Sequence, residues 1–257
     1  MPHNTRDRAQ QLLMAALLGL GHFALAQTPS AQEAGGPPSE AQPWHYKLSA
    51  SHYNTHTQTA AQDINLRGSH QDTTWWLAHY RRASEFEQTR AGWEQNRPFA
   101  WGRLNTSLQL ATHGFAGGAV TAQLGSESIY ALVGWGRTNL KDYYNLNFDP
   151  NDAITLGLGG KLAGSSTFAL FTVKDDRLHT GQQISHAVLH IPLQDQSRLN
   201  LDYAYKRGRA SAQDPMVQGK SLAVGLDHKD VFMRVAVDPK VNFSAYKQTR
   251  VVIGLRF

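Results

Sequence analysis

The stretch TRVVIGLRF, residues 249–257, closes the chain, and its alternation decides how the rest is read. Successive side chains of a strand point to opposite faces, so Val251, Ile253, Leu255 and Phe257 share one side while Arg250, Val252, Gly254 and Arg256 share the other. One face is apolar to the last residue, and the other carries two guanidinium groups. An edge strand of a soluble sheet could read the same way. Two features separate the readings: repetition of the pattern along the chain, and delivery of the chain to a membrane.

The opening stretch, MPHNTRDRAQQLLMAALLGLGHFALAQ, has the parts of a secretory signal. It offers a basic start with Arg6 and Arg8, an apolar run from Leu12 to Leu25, and Ala24-Leu25-Ala26 before Gln27. Residues 1–26 are therefore expected to be a signal peptide cleaved near Ala26, the apolar run being short for a membrane span. Residues 27–43 hold Pro29, Pro37, Pro38 and Pro43 among small and polar residues, a composition that cannot bury enough apolar area to order itself. They read as a disordered periplasmic arm, which leaves 44–257 as the folded domain.

Losing Arg6, Arg8 and Asp7 with the signal takes the charge from 25 basic and 20 acidic residues to 23 and 19. The small surplus is spread along the chain, with no stripe or tail for nucleic acid. There is no cysteine, so neither disulfides nor thiolate metal sites hold the fold. Beyond the signal no apolar run reaches the roughly 18 residues of a membrane helix; the richest segment is broken by Lys161 and by glycines.

From Trp44 onward, segments of alternating polarity are bounded by Gly, Asn, Asp, Ser or Pro. They run approximately 44–55, 60–69, 73–82, 84–94, 99–112, 117–125, 128–138, 152–162, 166–174, 183–192, 197–207, 217–228, 230–237 and 248–257. Leu199, Leu201, Tyr203 and Tyr205 alternate with Arg198, Asn200, Asp202 and Ala204; Leu222, Val224 and Leu226 alternate with Ser221, Ala223, Gly225 and Asp227. The connections alternate too. The seventh, eleventh and thirteenth are long, whereas the sixth, eighth and twelfth are short, as in an up-and-down barrel with long outer loops and short periplasmic turns. The fold expected is all-β: a transmembrane antiparallel barrel of about 14 strands, within a range of 12 to 16.

In its signal-like start, its alternating segments and its VVIGLRF ending, the mature chain resembles Gram-negative outer-membrane β-barrel proteins. The resemblance implies an outer-membrane location, and a terminal aromatic, here Phe257, that is read by the barrel-assembly machinery as well as facing lipid. It implies outer-membrane lipid and that machinery as partners. It does not say which member of the class this is.

The face opposite the apolar one collects Asn65, Arg67, Arg81, Arg90, Arg103, Asn105, Gln109, His113, Lys161, His186, His190, Asp202, Arg234, Arg250 and Arg256. Of these, Arg67, Arg81, Arg90, Arg103, Asn105, His113, Asp202 and Arg234 are the pore-lining candidates. Such an interior could conduct or bind a small polar, mildly anionic solute, and a barrel of this strand count favours a pore. Equally it could be plugged by paired charges, giving a structural or adhesion barrel. Trp76, Tyr80, Trp93, Trp101, Tyr130, Trp135, Tyr203 and Tyr205 are read as strand-end or lipid-facing aromatics, and Trp75 as pointing into the lumen.

The enzymatic alternative is a hydrolase of phospholipid or lipid A. Two such barrel families place His and Ser two residues apart on one strand face, about 7 Å along the chain. None of the twelve histidines here has a serine two residues later, so an enzyme is not favoured and no cofactor is expected. Within the seventh connection, Asn147, Asp149 and Asn151 match the start of a calcium-loop spacing, but the turn glycine and closing glutamate are missing and turn chemistry explains the residues better.

Overall fold

The computed structural model describes residues 43–146 and 149–257. The expected signal peptide, nearly all of the expected arm, and Asn147 lie outside the described residues. From His45 the chain forms one closed barrel in which each strand pairs antiparallel with its sequence neighbours and the first pairs with the last. The strands are β1 His45–Thr55, β2 Ala61–His70, β3 Thr73–Arg82, β4 Phe86–Phe99 and β5 Gly102–Ala111. Then come β6 Phe115–Gly125, β7 Ile129–Thr138, β8 Ala153–Lys161, β9 Thr167–Asp175 and β10 Gln183–Pro192. β11 Ser197–Gly208, β12 Val217–His228, β13 Val231–Asp238 and β14 Gln248–Arg256 complete the wall.

Closure removes both sheet edges and satisfies the backbone groups that hydrocarbon cannot. The seam sets Lys47 opposite Arg256 and Thr55 opposite Gln248, and it continues past the last strand, where Tyr46 and Phe257 exchange backbone hydrogen bonds of 2.7 and 3.0 Å. Their rings stack at 5.7 Å on the outer wall. The widest difference from the sequence reading is at the turn after β4, which runs to Phe99 rather than 94. Its alternation continues through Pro98, which pairs with Arg103 beside the turn, where a missing N–H costs little.

The outward face is the apolar one. Leu108, Leu156, Leu222, Ile253 and Leu255 stand exposed around the wall, as a lipid-facing surface requires, while their strand neighbours point inward. Even-numbered connections are short, none longer than 162–166, and odd-numbered ones include 139–152, 176–182, 209–216 and 239–247, so the odd end is extracellular.

The interior is not uniformly wet. Three apolar clusters lie in its extracellular half, Tyr53, Ala61, Tyr80 and Leu146; Phe115 with Tyr143; and Ile184, Ala204 and Phe243, while a fourth, Leu132, Ala153, Ala169, Phe171 and Val173, runs down the wall at β7–β9 past the middle of the barrel. The expected directions of several aromatics are corrected by this interior. Trp76, Tyr80 and Tyr130 point into the barrel and Trp75 points out, the reverse of the expected phase in β3. Trp76 lies flat on the neighbouring strand at Gly92, where any Cβ would overlap the indole. Gly254 does the same for Phe232.

Candidate functional site: the barrel interior

Beyond the top of β7 residues 139–142 are exposed, and then residues 143–146 and 149–152 turn down into the lumen instead of out into solvent. Tyr143 is buried against Phe115, ring centroids 4.5 Å apart, and its hydroxyl meets the Gln109 amide. Tyr144 stacks on Tyr80 at 5.0 Å; its backbone N–H donates to Gln88 Oε1 at 2.8 Å, and its carbonyl accepts from Gln88 Nε2 at 3.2 Å. Arg82 donates to both the Tyr80 and the Tyr144 hydroxyls. Leu146 enters the Tyr53, Ala61 and Tyr80 cluster, and its carbonyl accepts from Arg250 at 3.0 Å. Asp149 reaches the opposite wall, where His186 bridges it to Asp202 with 2.9 Å at each ring nitrogen. Farther up, Asp152 is bound by Thr138 and Arg177.

The described residues of this connection therefore touch β1, β3, β4, β5, β6, β10 and β14, and so reach both sides of the lumen. The thirteenth connection supports it from above. Val241 and Phe243 are buried, and Asn242 donates to the Asn145 carbonyl at 3.0 Å. Two buried ion pairs, Arg90 with Asp63 and Lys206 with Asp238, stiffen the same level.

The periplasmic half is different in kind. Lys47, Arg67, Arg103, Arg198, Arg234 and Arg256 point into it and outnumber Glu94 and Asp227. Arg67 takes Glu94 with two nitrogens, at 3.1 and 3.4 Å, and Arg256 takes Asp227 at 2.9 Å. Among the described residues, Arg103, Arg198 and Arg234 have no ion-pair partner. The Lys47 ammonium and the Arg256 guanidinium both stand over the Phe232 ring, at 4.4 and 5.0 Å. Asn105 bonds Asn96, and His190 bonds Asn200.

Most of the sequence candidates thus share the interior, but at two levels. Arg90 and Arg250 belong to the filled half. Asn65, Asp202 and His186 lie near the middle. Arg67, Arg103, Asn105, Arg234 and Arg256 line the periplasmic half, and Lys161 sits at its rim with Glu127. Two candidates are corrected: Arg81 faces outward and donates to the Ala83 carbonyl, and His113 is exposed in the turn Thr112–Gly114. Arg81 follows from the reversed phase of β3, and His113 lies beyond the end of β5, where alternation no longer assigns a face.

Asp149, a calcium-loop candidate, is engaged by His186, and Asn151 is buried. No group of three or more metal-ligating side chains occurs among the described residues. Two cross-strand hydroxyl–imidazole pairs escaped the sequence reading because their members lie on different strands: Ser197 with His228 at 2.8 Å and Thr89 with His79 at 3.0 Å. Both are on the outer wall, and among the described residues no carboxylate binds either imidazole to orient it as a catalytic base.

No protein-family model and no curated protein matches the chain. Among solved structures it is similar to the Acinetobacter baumannii outer membrane protein Omp33, with a TM-score of 0.55 and 11% identity over 85% of this chain and 100% of that one. It also aligns with the KdgM porin, at 0.43 and 11% over 82% and 99% of the two chains, and with Salmonella typhi OmpF, at 0.42 and 11% over 84% and 97%. At such identities the likeness is one of fold. The architecture is that of Gram-negative outer-membrane β-barrel proteins.

Proposed function

We propose that this outer-membrane β-barrel is a channel for small anionic solutes, held shut in the present conformation by the segment 139–152. The observation that carries the reading is the excess of inward cations on the periplasmic side of that segment, where Arg103, Arg198 and Arg234 point into the barrel and none is held in an ion pair among the described residues. A purely structural interior would pair its charges, because unpaired buried charge is costly. The closing segment rests on the wall through side-chain hydrogen bonds and a few aromatic contacts, an arrangement that can be released without unpicking the barrel. An apolar outer wall and a closed seam support residence in the outer membrane, reached after signal cleavage near Ala26.

The test is conductance in planar bilayers. Removing residues 141–149 should turn a mostly closed barrel into a conducting one whose reversal potential in a salt gradient indicates anion preference. Changing Arg103 and Arg234 to Glu should move that preference toward cations. A barrel that stays electrically silent after the removal would refute the channel and leave a structural barrel.

A further inference from the structure

On the extracellular half of the outer wall, polar side chains gather in two sectors. In the first, on β1–β4, Arg81 is directly opposite Glu87, and the sector carries no net charge apart from histidines. The second is different. Lys174, Gln183, Arg207 and Gln218 are successive cross-strand partners on β9, β10, β11 and β12. The row beneath is Thr172, Ser185, Tyr205 and Lys220, and the row beneath that is Leu170, Ala187, Tyr203 and Leu222. The step from polar to apolar falls between the last two rows, which sets the upper two at the headgroup level of the outer leaflet.

We infer that this face of β9–β12 binds a phosphorylated glycolipid of the outer leaflet, with Lys174, Arg207 and Lys220 on its phosphates. The three cations are exposed, and no acid points outward among them. None forms an ion pair among the described residues. Arg207 is steered by Gln183 at 3.0 Å, the Tyr205 hydroxyl donates to Gln218 at 3.2 Å, and the Thr172 and Ser185 hydroxyls bond at 2.8 Å. Single lysines and arginines at membrane boundaries are ordinary, since long side chains reach for the interface. Three within four successive strands, on β9, β11 and β12 and interleaved with amides and hydroxyls, are suited to phosphates joined by sugar. With strands about 4.8 Å apart, the patch is about 14 Å wide, broad for a single-phosphate lipid and suited to a headgroup with more than one. Below it, Leu170, Tyr203 and Leu222 offer an apolar wall to the acyl chains. The inference needs only the outer-membrane placement and is independent of the channel.

The full barrel, purified in detergent, is titrated with lipopolysaccharide and the bound fraction read by native mass spectrometry. Changing Lys174, Arg207 and Lys220 together to Ala should weaken binding about a hundredfold, from roughly fivefold per cation near a membrane surface. Wild-type protein should lose a comparable factor with dephosphorylated lipopolysaccharide, an arm that needs no variant. Lys174→Arg with Lys220→Arg should bind like wild type, and Arg81→Ala should too. Equal binding of the phosphorylated and dephosphorylated forms, equal binding of phosphatidylglycerol, or an undiminished affinity of the triple variant would each overturn the site.

Discussion

Leu146→Ala is the most direct probe of the closing segment. The Leu146 side chain is buried among Tyr53, Ala61 and Tyr80, although it belongs to a connection rather than to the wall. Truncating a buried leucine costs about 2–5 kcal/mol, the spread reflecting how well the site collapses. Tyr53 and Tyr80 are fixed by their strands, with ring centroids 5.5 Å apart and edge to face, so little collapse is expected. The loss falls on the docked form of 139–152 and not on strand pairing. At 1.36 kcal/mol per decade, even the low end raises the ratio of withdrawn to docked segment roughly 30-fold. Single-channel recording should therefore show a matching rise in open time. The barrel's heat-modifiable migration on gels should keep nearly its wild-type melting temperature. If the melting temperature falls and open time does not change, Leu146 is part of the barrel's core and 139–152 is no gate.

Three further outcomes are expected. Leu201 faces lipid near the middle of β11, between Leu189 and Val224, so Leu201→Arg should cost about 2–4 kcal/mol in urea unfolding from lipid, well above Asn200→Arg on the lumen side; equal penalties would mean the apolar face is not lipid-facing. Arg90→Ala strands the buried Asp63 carboxylate and should cost about 3–5 kcal/mol, most of it recovered when Asp63→Leu is added, whereas a merely additive double variant would dissolve the ion-pair account. Phe257→Ala keeps the backbone bonds to Tyr46 and loses the stacked ring, so refolding into detergent should weaken by only about 1–2 kcal/mol. Insertion in cells should fall much further if the residue is an assembly signal, and normal insertion would remove that role.

The wall was legible because a barrel strand repeats one binary choice for about ten residues, and most turns interrupt it with glycine, asparagine, aspartate, serine or proline. β3 Thr73–Arg82 shows where the choice becomes ambiguous. Both faces there mix aromatics with basic groups, and a one-residue phase error carries Trp75, Trp76, Tyr80 and Arg81 to the wrong sides together. The closing segment was missed for another reason. Its asparagines and aspartates are good turn formers, and that explanation sufficed, although Tyr143, Tyr144 and Leu146 are an odd cargo for a loop bound for water. The split of the interior into a filled outer level and a cationic inner one depends on which strands face each other across the lumen. Cross-lumen pairs such as Asp149 with His186, and Arg250 with the Leu146 carbonyl, join residues far apart in the chain, so local patterning carries no trace of them.

The seam has a consequence for how the molecule comes to exist. Gln248 meets Thr55 across a sequence separation of 193 residues, so β1 His45–Thr55 waits for its second partner until nearly the whole chain has been made. Until then the sheet has two raw borders and a greasy outer surface, the combination most prone to stick to other chains. Every intermediate before the last strand is thus a hazard in an aqueous compartment, however stable the finished cylinder. Moving the ends of the chain to the short 126–128 turn would only shift those borders to β6 Phe115–Gly125 and β7 Ile129–Thr138. Shielding of the unclosed sheet from other chains is therefore a demand of the topology itself and would persist whichever residues stood at the termini.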